Sequence, residues 1–277
     1  MSTGGHGPPR FAVLGKPIGH SLSPVMQGAA LRARGIDATY GAMEVESDQV
    51  ERAMRELADS GGGGNVTVPH KGVAAAALDV RTPEVERTGA CNTFWAEGGR
   101  LHGDNTDIAG FRAALARLLP SGIRGERTLM LGAGGAARAA LVALVDDGAR
   151  EVVVVNRSVD RARRLVDRLG GNVARVGSLG SLHGADFRLL VQATSLGLRA
   201  DDPLPVSLDD LGAIGGVLDL VYGPSGTALV RAARERGVPA LDGREMLVQQ
   251  GAAAFRRWFG DPVPVDAMRA ALAVARP

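Results

Sequence analysis

The chain has 277 residues, of which 45% are hydrophobic and 22% charged, with 32 Lys and Arg against 30 Asp and Glu. That length and balance describe a globular protein of one large or, more in keeping with its size, two moderate domains, and a net charge of +2 excludes binding of nucleic acid by sheer basicity. A single cysteine, Cys91, excludes an internal disulfide framework and suits a reducing cytoplasm; no apolar run reaches membrane-spanning length, and residues 1–10 lack the apolar stretch of a signal peptide and read as a short disordered lead-in.

Residues 11–14 form an apolar strand that runs into Gly15-Lys16-Pro17-Ile18-Gly19-His20-Ser21-Leu22-Ser23-Pro24. Ser23-Pro24 reads as an N-cap with proline at the first helical position, opening a helix to Arg34 that Gly35 stops. Capping alone explains Ser23. Ser21 lies in a loop after a strand, a usual place for ligand contacts. His20 is either a base or, more commonly for such a residue, a packed loop histidine. A second strand over 39–45 and an amphipathic helix over 48–59 follow, and Gly61-Gly62-Gly63-Gly64 reads as the turn into the next strand.

That next stretch, Asn65-Val66-Thr67-Val68-Pro69-His70-Lys71, carries one of only two lysines in the chain, the other being Lys16. Arginine keeps its proton near neutral pH, whereas lysine is the cation whose proton the surroundings can release. A lysine retained where every other cation is arginine is a candidate for proton chemistry. Alternation predicts Val66 and Val68 on a core face and Asn65 and Thr67 on the other. Pro69 ends the strand and suits the first turn of a helix over 71–78, which places Lys71 where the helix dipole opposes a cation.

Residues 89–95 make a further strand, paired as a hairpin with 100–102 across Glu97-Gly98-Gly99. Cys91, flanked by small residues and no base, reads as buried filler. Asp107 is a first-turn acid of a helix over 108–119, and residues 119–122 form a linker. After it, a strand over 127–131 meets Gly132-Ala133-Gly134-Gly135-Ala136-Ala137 and a helix to Val145. This is the G-x-G-x-x-A dinucleotide fingerprint in its strand–turn–helix setting, with a second strand over 151–155 completing the βαβ unit. An NAD site usually ends that second strand in an acid. Here Asn156-Arg157-Ser158, with Arg161 one turn on, suits the 2′-phosphate of NADP.

Strands over 186–192, ending in Ala193-Thr194-Ser195, and over 217–221, ending in Tyr222-Gly223-Pro224, continue the alternation and bring polar residues to the carboxyl ends of a parallel sheet. Helices over 227–236, 242–259 and 266–275 close the chain. Gln250 lies within the second of these, on a cleft-facing or a solvated face.

Taken together, Gly15-x-Pro17-Ile18-x-His20-Ser21-x-Ser23-Pro24, Asn65-Val66-Thr67-x-Pro69-x-Lys71, Gly89-Ala90-x-Asn92-Thr93 and Asn105-Thr106-Asp107-x-x-Gly110-Phe111 lie in the order, and with the spacing, of the shikimate dehydrogenases. The Gly132 loop, Asn156-Arg157-Ser158, Tyr222-x-Pro224-x-x-Thr227 and Gly243-x-x-Met246-Leu247-x-x-Gln250 continue the series, so that the chain resembles this family over essentially its whole length. The resemblance implies an α/β fold: an N-terminal α/β substrate-binding domain over 1–107, a Rossmann-type NADP-binding domain over 108–242, and C-terminal helices over 243–277 that return to the first domain, with the active site between the two. It implies reversible, NADPH-dependent reduction of 3-dehydroshikimate to shikimate on the route to chorismate and the aromatic amino acids. It also implies roles: Lys71 and Asp107 as the catalytic pair, and Ser21 and Ser23 on the substrate carboxylate. Thr67, Asn92, Tyr222 and Gln250 hold carboxylate or ring hydroxyls. Gly132, Ala133, Gly134, Gly135 and Ala136 take the pyrophosphate, Asn156, Arg157, Ser158 and Arg161 the adenosine 2′-phosphate, and Leu220 and Gly243 the nicotinamide side. No metal, nucleic-acid or membrane partner is expected, and the expected assembly is a homodimer, with a monomer as the alternative.

Two positions depart from the family pattern. Met26-Gln27 replaces the common His-Asn, and Gln192 replaces the usual Asn before Ala193-Thr194-Ser195, which is expected to loosen a contact on the cofactor side. The competing readings are a quinate/shikimate or aminoshikimate dehydrogenase and, in a different class, a non-catalytic sensor of a shikimate-like ligand. Arg157-Ser158 without an acid argues against an NAD-using quinate enzyme. Retention of both Lys71 and Asp107 argues against the sensor.

Overall fold

The structure, a computed structural model, describes residues 8–199, 201–223 and 226–275. Most of the lead-in expected at the N-terminus, and Pro224 of the Tyr222 motif, lie outside the described residues. The chain divides into two compact units, Met1–Thr106 with Gln250–Pro277, and Asp107–Gln249.

The first unit begins with β1 (Arg10–Gly15), α1 (Ser23–Arg34), β2 (Thr39–Glu44) and α2 (Val50–Asp59). It continues with β3 (Gly63–Val66), α3 (Lys71–Ala77), β4 (Val80–Arg81), α4 (Pro83–Thr88), β5 (Thr93–Glu97) and β6 (Arg100–Asp104). Six strands form one sheet in the order β2-β1-β3-β5-β6-β4. The β1, β2 and β3 strands run parallel, and β5 is antiparallel to both β3 and β6. Helix α2 buries Val50, Ala53, Met54, Leu57 and Ala58, a spacing that gathers apolar side chains on one helical face, against a core containing Leu14, Val66 and Phe94. Burial of each large side chain in that core contributes about 1.5–3 kcal/mol.

Only the start of the glycine run is a turn: Gly61 has φ +78° and turns the chain out of α2. Gly63 and Gly64 are the first residues of β3, because the neighbouring strands lie too close for a side chain. A Cβ on Gly63 would stand 2.5 Å from the Phe94 carbonyl oxygen, and one on Gly64 would strike Ala12 O.

The second unit contains α5 (Asp107–Leu118), β7 (Arg127–Leu131), α6 (Gly135–Asp146), β8 (Glu151–Val155), α7 (Val159–Leu169), β9 (Ala174–Val176) and β10 (Leu189–Gln192). After these come β11 (Val217–Asp219), α8 (Ala228–Glu235) and β12 (Ala240–Leu241). Its sheet is wholly parallel, in the order β12-β11-β10-β7-β8-β9, which is the doubly wound dinucleotide-binding topology. Strand order reverses between β7 and β10, so the crevice where such sheets bind ligands opens at Gly132 and Ala193. Apolar residues on both faces of β7, β8 and β10 are buried, as helices on both sides require.

Helix α9 (Gly243–Phe259) contains the second division between the units, at Gln249/Gln250 rather than before Gly243, and α10 (Val265–Val274) follows. Within the first unit the C-terminal segment is tied in by direct contacts. Trp258 Nε1 donates to Phe94 O at 3.2 Å, and the Phe11 ring lies 4.9 Å from that of Trp258. Arg257 Nε donates to Asp104 Oδ2 at 2.9 Å, and α10 packs on α1. Among the described residues no helix is long and apolar enough to cross a membrane.

Candidate active site

Lys71 is the first residue of α3, the helix start that its sequence setting predicts, and is half-buried. Its carbonyl accepts the Cys91 amide at 2.9 Å, which ties the start of the helix to the segment leading to Asn92. The residue before it, His70, is buried, with Nε2 2.9 Å from Val45 O and Nδ1 3.3 Å from Ser47 Oγ. A carbonyl only accepts, so Nε2 carries the proton. Two long-range contacts thus hold the turn that presents Lys71. Val68 does not face a core: β3 ends at Val66, the chain turns, and Val68 is 71% exposed. Thr67 stays anchored through its amide to Leu14 O at 2.8 Å. Lys16, by contrast, is an exposed residue in an ion pair with Glu46, and that hydrogen bond raises its pKa.

Ser23 is not the cap of α1. The N-cap of α1 is Leu22, and Ser23 is already helical and buried, with no capping bond from its side chain. Instead the Ser23 amide donates to Ser21 Oγ at 3.3 Å. Ser23 therefore needs an explanation other than capping. The departure at Met26-Gln27 is a packing feature. Both residues are buried, Gln27 Nε2 donates to Gly251 O at 3.0 Å, and Met26 fills the space where Gly251 lacks a side chain.

Asn92 is the node of a buried polar cluster. Its Oδ1 accepts the Thr106 amide at 2.8 Å and the Thr93 hydroxyl at 3.0 Å, and its Nδ2 donates to Gln250 Oε1 at 3.3 Å. Gln250 thus faces a site partner rather than solvent alone. Asp104, also buried, accepts from Thr82 Oγ1, the Asn105 amide and Arg257. These two clusters hold the segment ending at Thr106, directly before Asp107. Sequence reasoning assigned no site role to Thr93, Asp104 or Thr106. The available signal was the repeated Asn-Thr pair at 92–93 and 105–106. Cys91 is fully buried and burial pushes its thiol up to about 12, which fits filler.

In the second unit Asp107 opens α5 and is 4% exposed. Gly132 has φ +114°, and a Cβ there would lie 2.6 Å from Ala193 O, so the first fingerprint glycine closes on the strand-order reversal. Gly134 is the side-chain-free N-cap of α6, exposed like Gly135, with open space where a Cβ would be; Ala133 and Ala136 flank it and Ala137 is fully buried. Backbone amides at such a helix start suit a pyrophosphate. Asn156 Nδ2 donates to Ser158 O at 2.8 Å, and Ser158 is the N-cap of α7 without a side-chain capping bond. Arg157 and Arg161 are exposed, and among the described residues neither guanidinium is paired with a carboxylate. The open glycine turn and two uncommitted arginines fit a 2′-phosphorylated dinucleotide.

Leu220 and Gly243 come together: the Gly243 amide donates to Val221 O at 2.9 Å, and a Cβ on Gly243 would collide with Leu220 O. Tyr222 follows in the same loop, half-buried. The loop is held by Asp219, which the sequence reading passed over although it is the one acid in the run Val217-Leu218-Asp219-Leu220-Val221. Asp219 Oδ1 accepts the Val221 amide at 3.0 Å and Oδ2 accepts the Thr227 hydroxyl at 2.6 Å, and burial raises its pKa to about 6. Gln192 is held by the loop that follows it: its Oε1 accepts the Thr194 amide at 2.6 Å and its Nε2 donates to Leu196 O at 2.7 Å.

Three family models match: the shikimate dehydrogenase substrate-binding domain over residues 13–94, shikimate/quinate 5-dehydrogenase over 114–195, and the shikimate 5′-dehydrogenase C-terminal domain over 243–273. A shikimate dehydrogenase (NADP+) of Methylobacterium radiotolerans is 43% identical over 260 residues, covering 91% of this chain and 92% of its own. The crystal structure of shikimate 5-dehydrogenase from Thermus thermophilus in complex with NADP(H) and shikimate superposes with a TM-score of 0.85 at 38% identity, covering 95% of this chain and 97% of that one. The shikimate dehydrogenase of Aquifex aeolicus gives a TM-score of 0.86 at 33% identity, over 96% and 97% of the two chains.

Proposed function

This chain belongs to the shikimate dehydrogenase family, and from that premise we propose how its own residues carry out the NADP-dependent interconversion of 3-dehydroshikimate and shikimate. Bound NADPH supplies the hydride. Reduction of a carbonyl leaves negative charge on its oxygen, and Lys71 donates the proton that neutralises it: the N–H bond breaks as the new O–H forms, and the reverse reaction returns the proton. Asp107 is the partner that orients the ammonium group. The half-buried setting of Lys71, fixed through His70 and Cys91, supports this role, as does the burial of Asp107 directly after the anchored Thr106.

Ser21 and Ser23 take the substrate carboxylate, while Thr67, Asn92, Tyr222 and Gln250 take the remaining oxygens. Ser23, buried and without a capping bond, supports the first assignment. The Asn92–Gln250 hydrogen bond supports the second. Gly132 to Ala136 bind the pyrophosphate, Asn156 to Ser158 with Arg161 the 2′-phosphate, and Leu220 and Gly243 border the nicotinamide. The observation that carries the reading most directly is the pairing of an open glycine turn with the exposed, uncommitted Arg157 and Arg161 in one unit, and a presented Lys71 in the other. We read the assembly as a homodimer in the cytoplasm. The edge strand β2 is exposed along almost its whole length with one charged residue, Glu44, which supports self-association, and the buried thiol of Cys91 suits a reducing compartment.

The test is the purified protein assayed with NADP and NAD, each with shikimate and with quinate, alongside light scattering of the eluted species. NADP with shikimate is the expected productive pair. Turnover confined to quinate with NAD, or tight ligand binding without turnover, would overturn the reading.

A further inference from the structure

Beneath Asn92 lies a chain of buried polar side chains to which neither the mechanism nor the family resemblance gives a role. The Tyr40 hydroxyl is 2.6 Å from Asn65 Oδ1. Asn65 Nδ2 is 3.0 Å from both Asn92 O and Thr93 Oγ1. Thr93 Oγ1 is 3.0 Å from Asn92 Oδ1 and 3.1 Å from Thr106 Oγ1, and Asn92 continues to Gln250. Asn65, Asn92, Thr93 and Thr106 are each 6% exposed or less.

Two main-chain groups dictate which way the two asparagine amides of this chain point. The Asn65 atom facing the carbonyl of Asn92 must be the NH2, since a carbonyl only accepts. Its oxygen then faces Tyr40, whose hydroxyl must donate. At the other end, the Asn92 atom 2.8 Å from the Thr106 amide must be the oxygen, since a backbone N–H only donates. The Asn92 NH2 therefore points at Gln250, which meets it with its oxygen and leaves its own NH2 to continue the chain. Thr93 accepts from Asn65 and passes its proton toward Asn92 or Thr106. Burial pushes the Tyr40 phenol above its usual range, so it stays in the donating form.

We infer that Tyr40 is a positioning residue for substrate binding, holding the amides of Asn92 and Gln250 in one orientation through Asn65 and Thr93. The inference rests on the substrate-binding roles proposed above for those two amides. A Tyr40→Phe change leaves Asn65 Oδ1 buried without its donor, and the Asn65 side chain is no longer held at both ends. The main-chain groups still set the sense of each amide, but the bonds that Asn65 gives to Asn92 O and Thr93 Oγ1 lose their fixed length and angle. The ring itself is kept, together with its stacking on Trp258 at 6.1 Å.

The experiment is steady-state kinetics on the full chain with separate variation of shikimate and NADP, together with 15N side-chain amide spectra. For Tyr40→Phe the shikimate KM should rise roughly three- to tenfold, about the worth of one buried hydrogen bond, while kcat and the NADP KM stay within about twofold. Thr93→Val should move the shikimate KM the same way, and Thr93→Ser, which keeps the hydroxyl, should restore it. The Asn92 NH2 resonances should shift in Tyr40→Phe. An unchanged shikimate KM, or a parallel loss in both substrates that tracks melting temperature, would overturn the inference, because a purely structural role predicts no selectivity. Should Tyr40→Phe fail to fold, the Val and Ser variants at Thr93 decide the matter: equal KM values rule the relay out. If the unaltered chain fails to turn over shikimate, the proposed function fails by itself. The amide spectra then judge the relay, unmoved Asn92 signals overturning it and shifted ones upholding it.

Discussion

In the first unit the candidate substrate residue Asn92 is gripped by Thr93, Thr106 and Gln250 in a buried cluster, its amide oriented by the Thr106 N–H. In the second, Gly132 lets the turn close on Ala193, Gly134 leaves open space where a side chain would stand, and Arg157 and Arg161 are exposed with no carboxylate partner among the described residues. The first unit preorganises polar atoms; the second removes obstacles and leaves charge available. The difference matches the ligands. A small polyhydroxylated acid is recognised by the angle and sense of each hydrogen bond, since a mispaired buried group costs more than a made bond gains. A dinucleotide phosphate is recognised by close backbone approach and by cations. The buried acids of the two units differ in the same way. Asp104 has Arg257 as a counter-ion, whereas Asp219 is held by one hydroxyl and one amide, with Asp242 nearby to raise its pKa further.

The comparison is tested most severely at Lys71, where position and proton must coincide. Lys71→Arg keeps the charge and the length but removes the transferable proton, so kcat should fall by roughly 10²- to 10⁴-fold with a smaller change in shikimate KM. Single-turnover reduction with NADPH measures this, and near-normal turnover would remove Lys71 from the mechanism.

Asp219 gives the next largest effect. Its carboxyl titrates near 3.8 in an unfolded chain and about 6 in the fold, so the folded state binds more protons between those values. Its contribution is therefore fully present below pH 3.8 and is lost as pH rises through about 6, a change of about 3 kcal/mol by linkage. Denaturant unfolding of Asp219→Asn across that window should lack this downward slope. A variant with the same pH dependence as the parent would show that the term lies elsewhere.

Removing the available charge in the second unit comes third. Arg157→Ala should raise the NADP KM by roughly 10- to 100-fold and leave NAD use nearly unchanged, since a charge-assisted bond is worth about 1.5–3 kcal/mol. Equal losses with both cofactors would mean that Arg157 supports the fold and not the 2′-phosphate.

The sequence made the second unit's design easier to see, because glycine spacing and unpaired arginines are local signals. The strand–Gly132–helix order and the missing acid after Val155 each lie within a few neighbouring residues, as does, in the first unit, the helix start at Lys71. The first unit's design depends on partners far apart in the chain: Tyr40 reaches Asn65, and Asn92 reaches Gln250. No periodicity announces such pairs. Short elements escaped for another reason, since Val80–Arg81 and Pro83–Thr88 are too brief to show a repeat. Gly63 and Gly64 misled because glycine marks a turn and a tight strand crossing alike.

Lys16 is where the smallest effect is expected, and it is the control for lysine scarcity as a signal. It shares with Lys71 its rarity and its place beside glycine and proline, yet it is exposed and its ammonium is engaged by Glu46 on the surface. Such pairs are screened by solvent and contribute little. Lys16→Arg can keep the ion pair, so kcat, both KM values and the melting temperature should match those of the parent, while the same substitution at Lys71 abolishes most turnover. Because the two substitutions are chemically identical, any difference must come from where each lysine stands. A large loss at Lys16 would mean that the loop from Gly15 to Ser23 takes part in the chemistry, and that the first unit's polar design extends beyond the Asn92 cluster.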